Sequence, residues 1–163
     1  MPKKLKILTT KNKKEEKKLR EKSKPLSDSE IKSSEFQKFL DDLIHTAKNQ
    51  TLQEGWITAG LAAIQVGKPL CVFIAINAET KEYEEYINPE IEYLGDVQEK
   101  EIEGCLSLPE LQKEVLRYRK VKIVYKNRLG EKKSKKVDNY SSKIIQHEYD
   151  HLQGILFPDK LSK

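Results

Sequence analysis

The sequence predicts an α+β fold, with mixed or antiparallel sheets packed around a helix near the C-terminus. Helical periodicity is confined to two stretches, residues 34 to 48 and 140 to 153, while the middle of the chain reads as strands. Helices and strands therefore fall in blocks, not in the βαβ alternation that builds a parallel sheet. The 163 residues show no repeat, linker or composition break, which fits one domain over 1–163.

The first 30 residues read as irregular, with Pro25 and Ser27-Asp28-Ser29 marking a loop. Ser34 followed by Gln37 has the form of a capping box. Phe36, Phe39, Leu40, Leu43 and Ala47 then recur at helical spacing and predict the amphipathic helix 34 to 48. Leu70 to Ile76 is a short apolar run of the buried-strand type, and residues 83 to 94 predict one or two strands broken at Asn88-Pro89. From 115 to 125 the alternation is patchy, with Val121, Ile123 and Tyr125 on one face. A turn over 127 to 130 then leads into a second strand ending near Val137, a hairpin. Asp138, Asn139, Ser141 or Ser142 can cap the last helix, and Gly154 stands where a left-handed C-terminal residue belongs.

Charged residues (35%) nearly match hydrophobic ones (37%), a very polar but still globular composition. Excess lysine is concentrated in residues 3 to 24, and a net charge of +5 suits a polyanionic partner such as ribosomal RNA. Lysines that merely solvate the surface account for the same pattern equally well. Leu70 to Ile76 is far too short to cross a bilayer. The N-terminal lysines are mixed with glutamates and include no apolar stretch of signal length, so the expected location is cytoplasmic, without membrane contact. Cys71 and Cys105 then read as reduced thiols, free for chemistry.

His147-Glu148-Tyr149-Asp150-His151 is an H-E-x-x-H sequence inside the last helix. Spacing i, i+4 sets both imidazoles on one face, one turn apart, where they can share a metal. Glu148 lies about 100° around the helix, placed to reach a water beside the metal rather than to ligate it. The chain has only three histidines, so two falling in this pattern by accident is roughly a one-in-hundreds event. A catalytic site needs a third protein ligand and an open position. Only 12 residues follow His151, none of them Glu, and Phe157 occupies the position where an extended motif carries a third histidine. His45 lies along the apolar stripe of the first helix, and Asp150 suits a contact behind the ligands. Cys71 opens the apolar strand and reads as a small core residue. Cys105, in the Gly-flanked segment Glu103-Gly104-Cys105-Leu106-Ser107, is the third ligand by elimination. A Cys/His/His set leaves a divalent ion one net positive charge, so more of the proton transfer falls to Glu148.

Three segments together resemble the signature motifs of the peptide deformylases, in that family's order: Gly60-Leu61-Ala62-Ala63-Ile64-Gln65, Glu103-Gly104-Cys105-Leu106-Ser107 and Gln146-His147-Glu148-Tyr149-Asp150-His151. Lys6-Ile7-Leu8, Leu19-Arg20 and Ile87-Asn88-Pro89 resemble further landmarks, so the likeness spans nearly the whole chain. The resemblance implies hydrolysis of the N-formyl group from the initiator formyl-methionine of nascent peptides, with release of formate. It implies one divalent metal, Fe(II) or in its place Zn, Ni or Co, held by Cys105, His147 and His151. Glu148 is then the catalytic acid/base, and the Gln65 amide and the Leu106 backbone N–H are the oxyanion donors. The same resemblance implies that Gly60, lacking Cβ, leaves room for the substrate backbone, that Arg117 lies near the substrate entrance and that Ile144 lines the methionine pocket. Thr58 replaces a usual glycine, and Glu101 and Lys143 stand where relatives are apolar, which points to an alternative: an amidase of the same fold with altered first-residue specificity. A metal-stabilised basic binding module is the third reading, but it has no need of Gln65, Cys105, Glu148 and both histidines together.

Overall fold

The computed structural model describes residues 1–52 and 56–160. Its elements are α1 (Lys13–Leu19), α2 (Asp28–Lys32), α3 (Ser34–Lys48), β1 (Gly60–Ala62), β2 (Val72–Ile76), β3 (Tyr83–Tyr93), β4 (Gln98–Cys105), β5 (Leu108–Tyr118), β6 (Lys120–Lys126), β7 (Lys132–Asp138) and α4 (Asn139–Leu152). A five-stranded sheet runs β1-β2-β3-β6-β7 with every pairing antiparallel, and β4-β5 form a separate antiparallel hairpin. Among the described residues no helix is long and apolar enough to cross a membrane.

β2 explains why its sequence is a continuous apolar run. Val72 and Ile74 point to one face, where Phe36, Leu40, Leu43 and Ala47 of α3 cover them. Phe73 and Ala75 point to the other, where they pack with Ile144, Ile145 and Leu152 of α4. A strand covered on both faces has no polar alternation to show. The sheet is thus the partition between two cores, and α4 lies on the face opposite α3.

The expected helix over 34 to 48 forms, but its cap is Ser33, whose hydroxyl accepts the Phe36 N–H at 3.2 Å. The capping box sits one helix earlier, between Ser27 and Glu30 in α2. The N-terminal segment is therefore not irregular: α1 and α2 both form there. α1, KKEEKKL, buries only Leu19 and so has no periodicity to read, and it is started by Asn12, which accepts from the Lys14 and Glu15 N–H groups. β3 runs unbroken through Asn88-Pro89, with a register shift between Ile87 and Glu90 that marks a bulge. Asn88 takes a positive φ there (48°), and its side-chain amide clamps the backbone N–H and C=O of Leu26, each at 2.8 Å. Residues 115 to 125 belong to two strands, broken at Arg119. The β4-β5 hairpin escapes the sequence because its outward positions are mostly charged and only Val115 of its residues is fully buried.

Gly154 ends the last helix as expected, at φ 75°, and a Cβ there would stand 2.3 Å from the Arg20 carbonyl oxygen. Gly154→Ala therefore meets both left-handed strain and immovable backbone, and it is expected to destabilise the fold by about 2–3 kcal/mol. Denaturant unfolding checks this; an unchanged midpoint would mean that the contact with α1 gives way freely.

Candidate metal centre

α4 carries the two histidines one turn apart, and the turn closing the β4-β5 hairpin delivers the cysteine from the other sheet. The ligand atoms of Cys105, His147 and His151 all lie within 4.8 Å of one another, and Cys105 Sγ is 3.4 Å from His151 Nε2. His147 Nδ1 is 2.7 Å from Glu103, and since an ionised carboxylate only accepts, the ring donates there and keeps its Nε2 lone pair for a cation. A soft thiolate and two imidazoles within reach of one point are a donor set that fits a first-row divalent ion.

Glu103 is held in turn. Arg117 donates to both its oxygens, at 2.7 and 2.9 Å, and also to Asp150 at 2.5 Å. Burial pushes the Glu103 carboxyl up, but the hydrogen bonds from Arg117 and His147 prevail and bring it down to about 2. Burial likewise presses His147 down, yet Cys105 and Glu103 hold it well above its ordinary value. His151, with burial foremost and the positive charge of His147 next, is held well below. One ring is tied to acids and the other is kept neutral, and both states suit ligation once a cation replaces the proton.

Arg117 is only 3% exposed and does not line the cavity, so the reading that put it near a substrate entrance is corrected. Bidentate pairing to Glu103 has drawn the guanidinium beneath the ligands. Glu103 itself, and Ser107, went unread in the sequence. The signal for Glu103 was its place two residues before Cys105 on a strand, which turns both side chains the same way.

A cavity of about 890 Å³ opens over the ligands, lined by Gly60, Gln65, Leu106, Ile144, His147 and Glu148 among others. A smaller one of about 260 Å³, against β7, shares only Ile144 with it. Glu148 is 4% exposed, and its Oε1 has no hydrogen-bond partner among the described residues. Burial, foremost among its influences, lifts it to about 7, the range of a group that must both take and give a proton. Gly60 gains a role different from the expected one: a Cβ there would stand 2.8 Å from Glu148 Oε2 and 2.9 Å from its Cγ, so the missing methyl makes room for the carboxylate. Gln65 accepts the Ala62 N–H through Oε1 at 2.9 Å, which turns its NH₂ toward Ser107 Oγ (3.1 Å) and Cys105 Sγ (3.5 Å). The Leu106 N–H has no acceptor among the described residues. Thr58 is buried against the cavity, its carbonyl accepting from the Tyr83 hydroxyl. Cys71 stays with the α4-side core, its thiol pushed up by burial, and His45 faces Asn49 on α3.

The polypeptide deformylase family model matches residues 5–163. A peptide deformylase of Bartonella bacilliformis is 42% identical over 154 residues, covering 89% of this chain and 80% of that protein. One from Wolinella succinogenes is 38% identical, covering 88% and 82%. Among solved structures, peptide deformylase from Thermotoga maritima superposes with a TM-score of 0.85 at 29% identity, covering 98% of this chain and 99% of that one. The class I type b peptide deformylase of Acinetobacter baumannii bound to Met-Ala-Ser does so at 0.86 and 27% identity, covering 99% and 100%.

Proposed function

The chain belongs to the polypeptide deformylase family, and we propose on that premise that it removes the formyl group from the initiator formyl-methionine of nascent polypeptides. The observation that carries this reading is the convergence of Cys105, His147 and His151 beneath a cavity in which Glu148 keeps one buried oxygen unpartnered. Those three side chains hold a divalent metal, which we take to be Fe(II), with Zn, Ni or Co able to replace it. When bound, it supplies Lewis acidity for the attacking water and the formyl carbonyl.

The chain's own residues do the rest. Glu148 takes a proton from the water as its oxygen bonds to the formyl carbon. The Gln65 NH₂ and the Leu106 N–H donate to the developing oxyanion. As the C–N bond breaks, Glu148 passes its proton to the leaving amine, so formate and a free amino terminus are released. Met-Ala-Ser, bound by the Acinetobacter baumannii relative, is the amine product expected from formyl-Met-Ala-Ser. A nascent-chain substrate implies work in the cytoplasm, and contact with ribosomal RNA would fall to the exposed lysines of the first two dozen residues.

Anaerobic reconstitution with Fe(II) followed by formate assay on formyl-Met-Ala-Ser tests this: formate and free amine are expected in equal amounts, and no formate would end the reading. Gly60→Ala is expected to lower kcat about 100-fold while melting temperature and metal content hold, because the obstacle is a movable side chain that happens to be the acid/base. A kcat unaffected by that methyl would remove Gly60 from its assigned role.

A further inference from the structure

We propose that the Glu101–Lys143 ion pair governs selection of the first side chain, admitting side chains of methionine's length that carry a hydrogen-bond acceptor near the tip. The inference rests on the deformylase reading and deepens it. β4 alternates strictly, with Glu99, Glu101, Glu103 and Cys105 half-buried and the residues between them exposed. α4 presents Lys143, His147 and His151 at steps of four, on one face. The two rows meet rung by rung. Cys105 Sγ is 3.4 Å from His151 Nε2, Glu103 Oε1 is 2.7 Å from His147 Nδ1, and Glu101 Oε2 is 3.0 Å from Lys143 Nζ.

The first two rungs build the metal centre. The third continues the same ladder into the cavity wall, where Glu101 and Lys143 stand in the lining that also contains Gly60 and Glu148. Lys143 is only 9% exposed, so little water reaches it. An ammonium has three donors. Glu101 takes one, and the nearest Glu99 oxygen stands at 3.6 Å, which leaves donor capacity for a further acceptor. A purely apolar tip lying here strips water from charged groups and returns nothing, whereas an acceptor tip replaces the lost hydrogen bond. The methionine thioether, a weak acceptor, falls between the two.

The test compares kcat/KM of the metal-loaded enzyme on formyl-Met-Ala-Ser, its methionine-sulfoxide counterpart and its norleucine counterpart. The sulfoxide-to-norleucine ratio is expected to fall roughly tenfold in the double variant E101I/K143I, which makes the wall apolar and leaves Glu99, whose side chain is 40% exposed, without its ion-pair partner. In Glu101→Gln, which keeps the shape and weakens the competing acceptor, the ratio is expected to rise several-fold. If the double variant loses its metal, Glu101→Gln alone decides. Formate from formyl-Met-Ala-Ser with the same ratio in parent and variants would overturn the ion pair's role while leaving the deformylase reading intact. No formate from any of the three peptides would sink that reading instead.

Discussion

Glu148→Ala is expected to lower kcat by about 1,000-fold or more while the protein still takes up its metal. Among the described residues no neighbour can stand in for it. Of the other carboxylates lining the cavity, Glu103 is tied to Arg117 and His147, Glu101 to Lys143, and Glu110 is exposed. Metal content by elemental analysis and formate release check the two halves of the expectation; turnover that survives would dismiss Glu148 as the proton carrier. Glu148→Gln adds a thermodynamic reading. Burial holds the carboxyl at about 7 against an ordinary 4.5, so the fold disfavours the ionised form. In metal-free protein this side chain therefore lowers stability as pH rises from 4.5 through 7, and the loss is complete above that. Metal-free Glu148→Gln is expected to exceed its metal-free parent above pH 7 by on the order of 3 kcal/mol, the difference vanishing below 4.5. Denaturant midpoints at the two ends of that range decide it, and equal midpoints at the alkaline end would show a solvated carboxylate.

The second large effect is expected at Arg117. Arg117→Met strands Asp150, 7% exposed, and leaves Glu103, 10% exposed, with His147 as its one remaining partner among the described residues. Removing one partner of a buried pair typically destabilises by about 3–5 kcal/mol, because the charge left behind has neither water nor counter-ion. The loss should also reach the metal: with Glu103 no longer anchored, His147 loses its orienting acceptor, and metal affinity is expected to weaken about 10–100-fold. Arg117→Lys should recover little, since a single ammonium cannot bridge both Glu103 oxygens and Asp150 as the fork does. Thermal melts and competition with a chelator are the measurements. A variant with the parent's melting temperature and affinity would return Arg117 to the status of a bystander.

Arg117 also shows where sequence reading stops. The ligand helix was legible because its spacing is local: His147 and His151 declare a shared face without any knowledge of the fold. Cys105 followed by elimination, since the chain has only one other cysteine and one other histidine. α3 and the β6-β7 hairpin were legible because each buries one face and leaves the other wet. Arg117 and Glu103 were not, because a buried ion pair looks in sequence like two surface charges on a strand; only the tertiary fold removes their water. α1 and the β4-β5 hairpin failed for the opposite reason, having almost no apolar face to display.

The three candidate ligands come from chain segments of very different reach. Two sit on a single helix and need nothing more than that helix to face the same way. The third is carried by a hairpin outside the main sheet and reaches the helix only when the tertiary structure has closed around it. The helix by itself would offer a cation only two imidazoles, and the full donor set exists only in the folded chain. A chain that misplaced its hairpin would keep the helix, both histidines and Glu148, and would still lack the third donor of the candidate site.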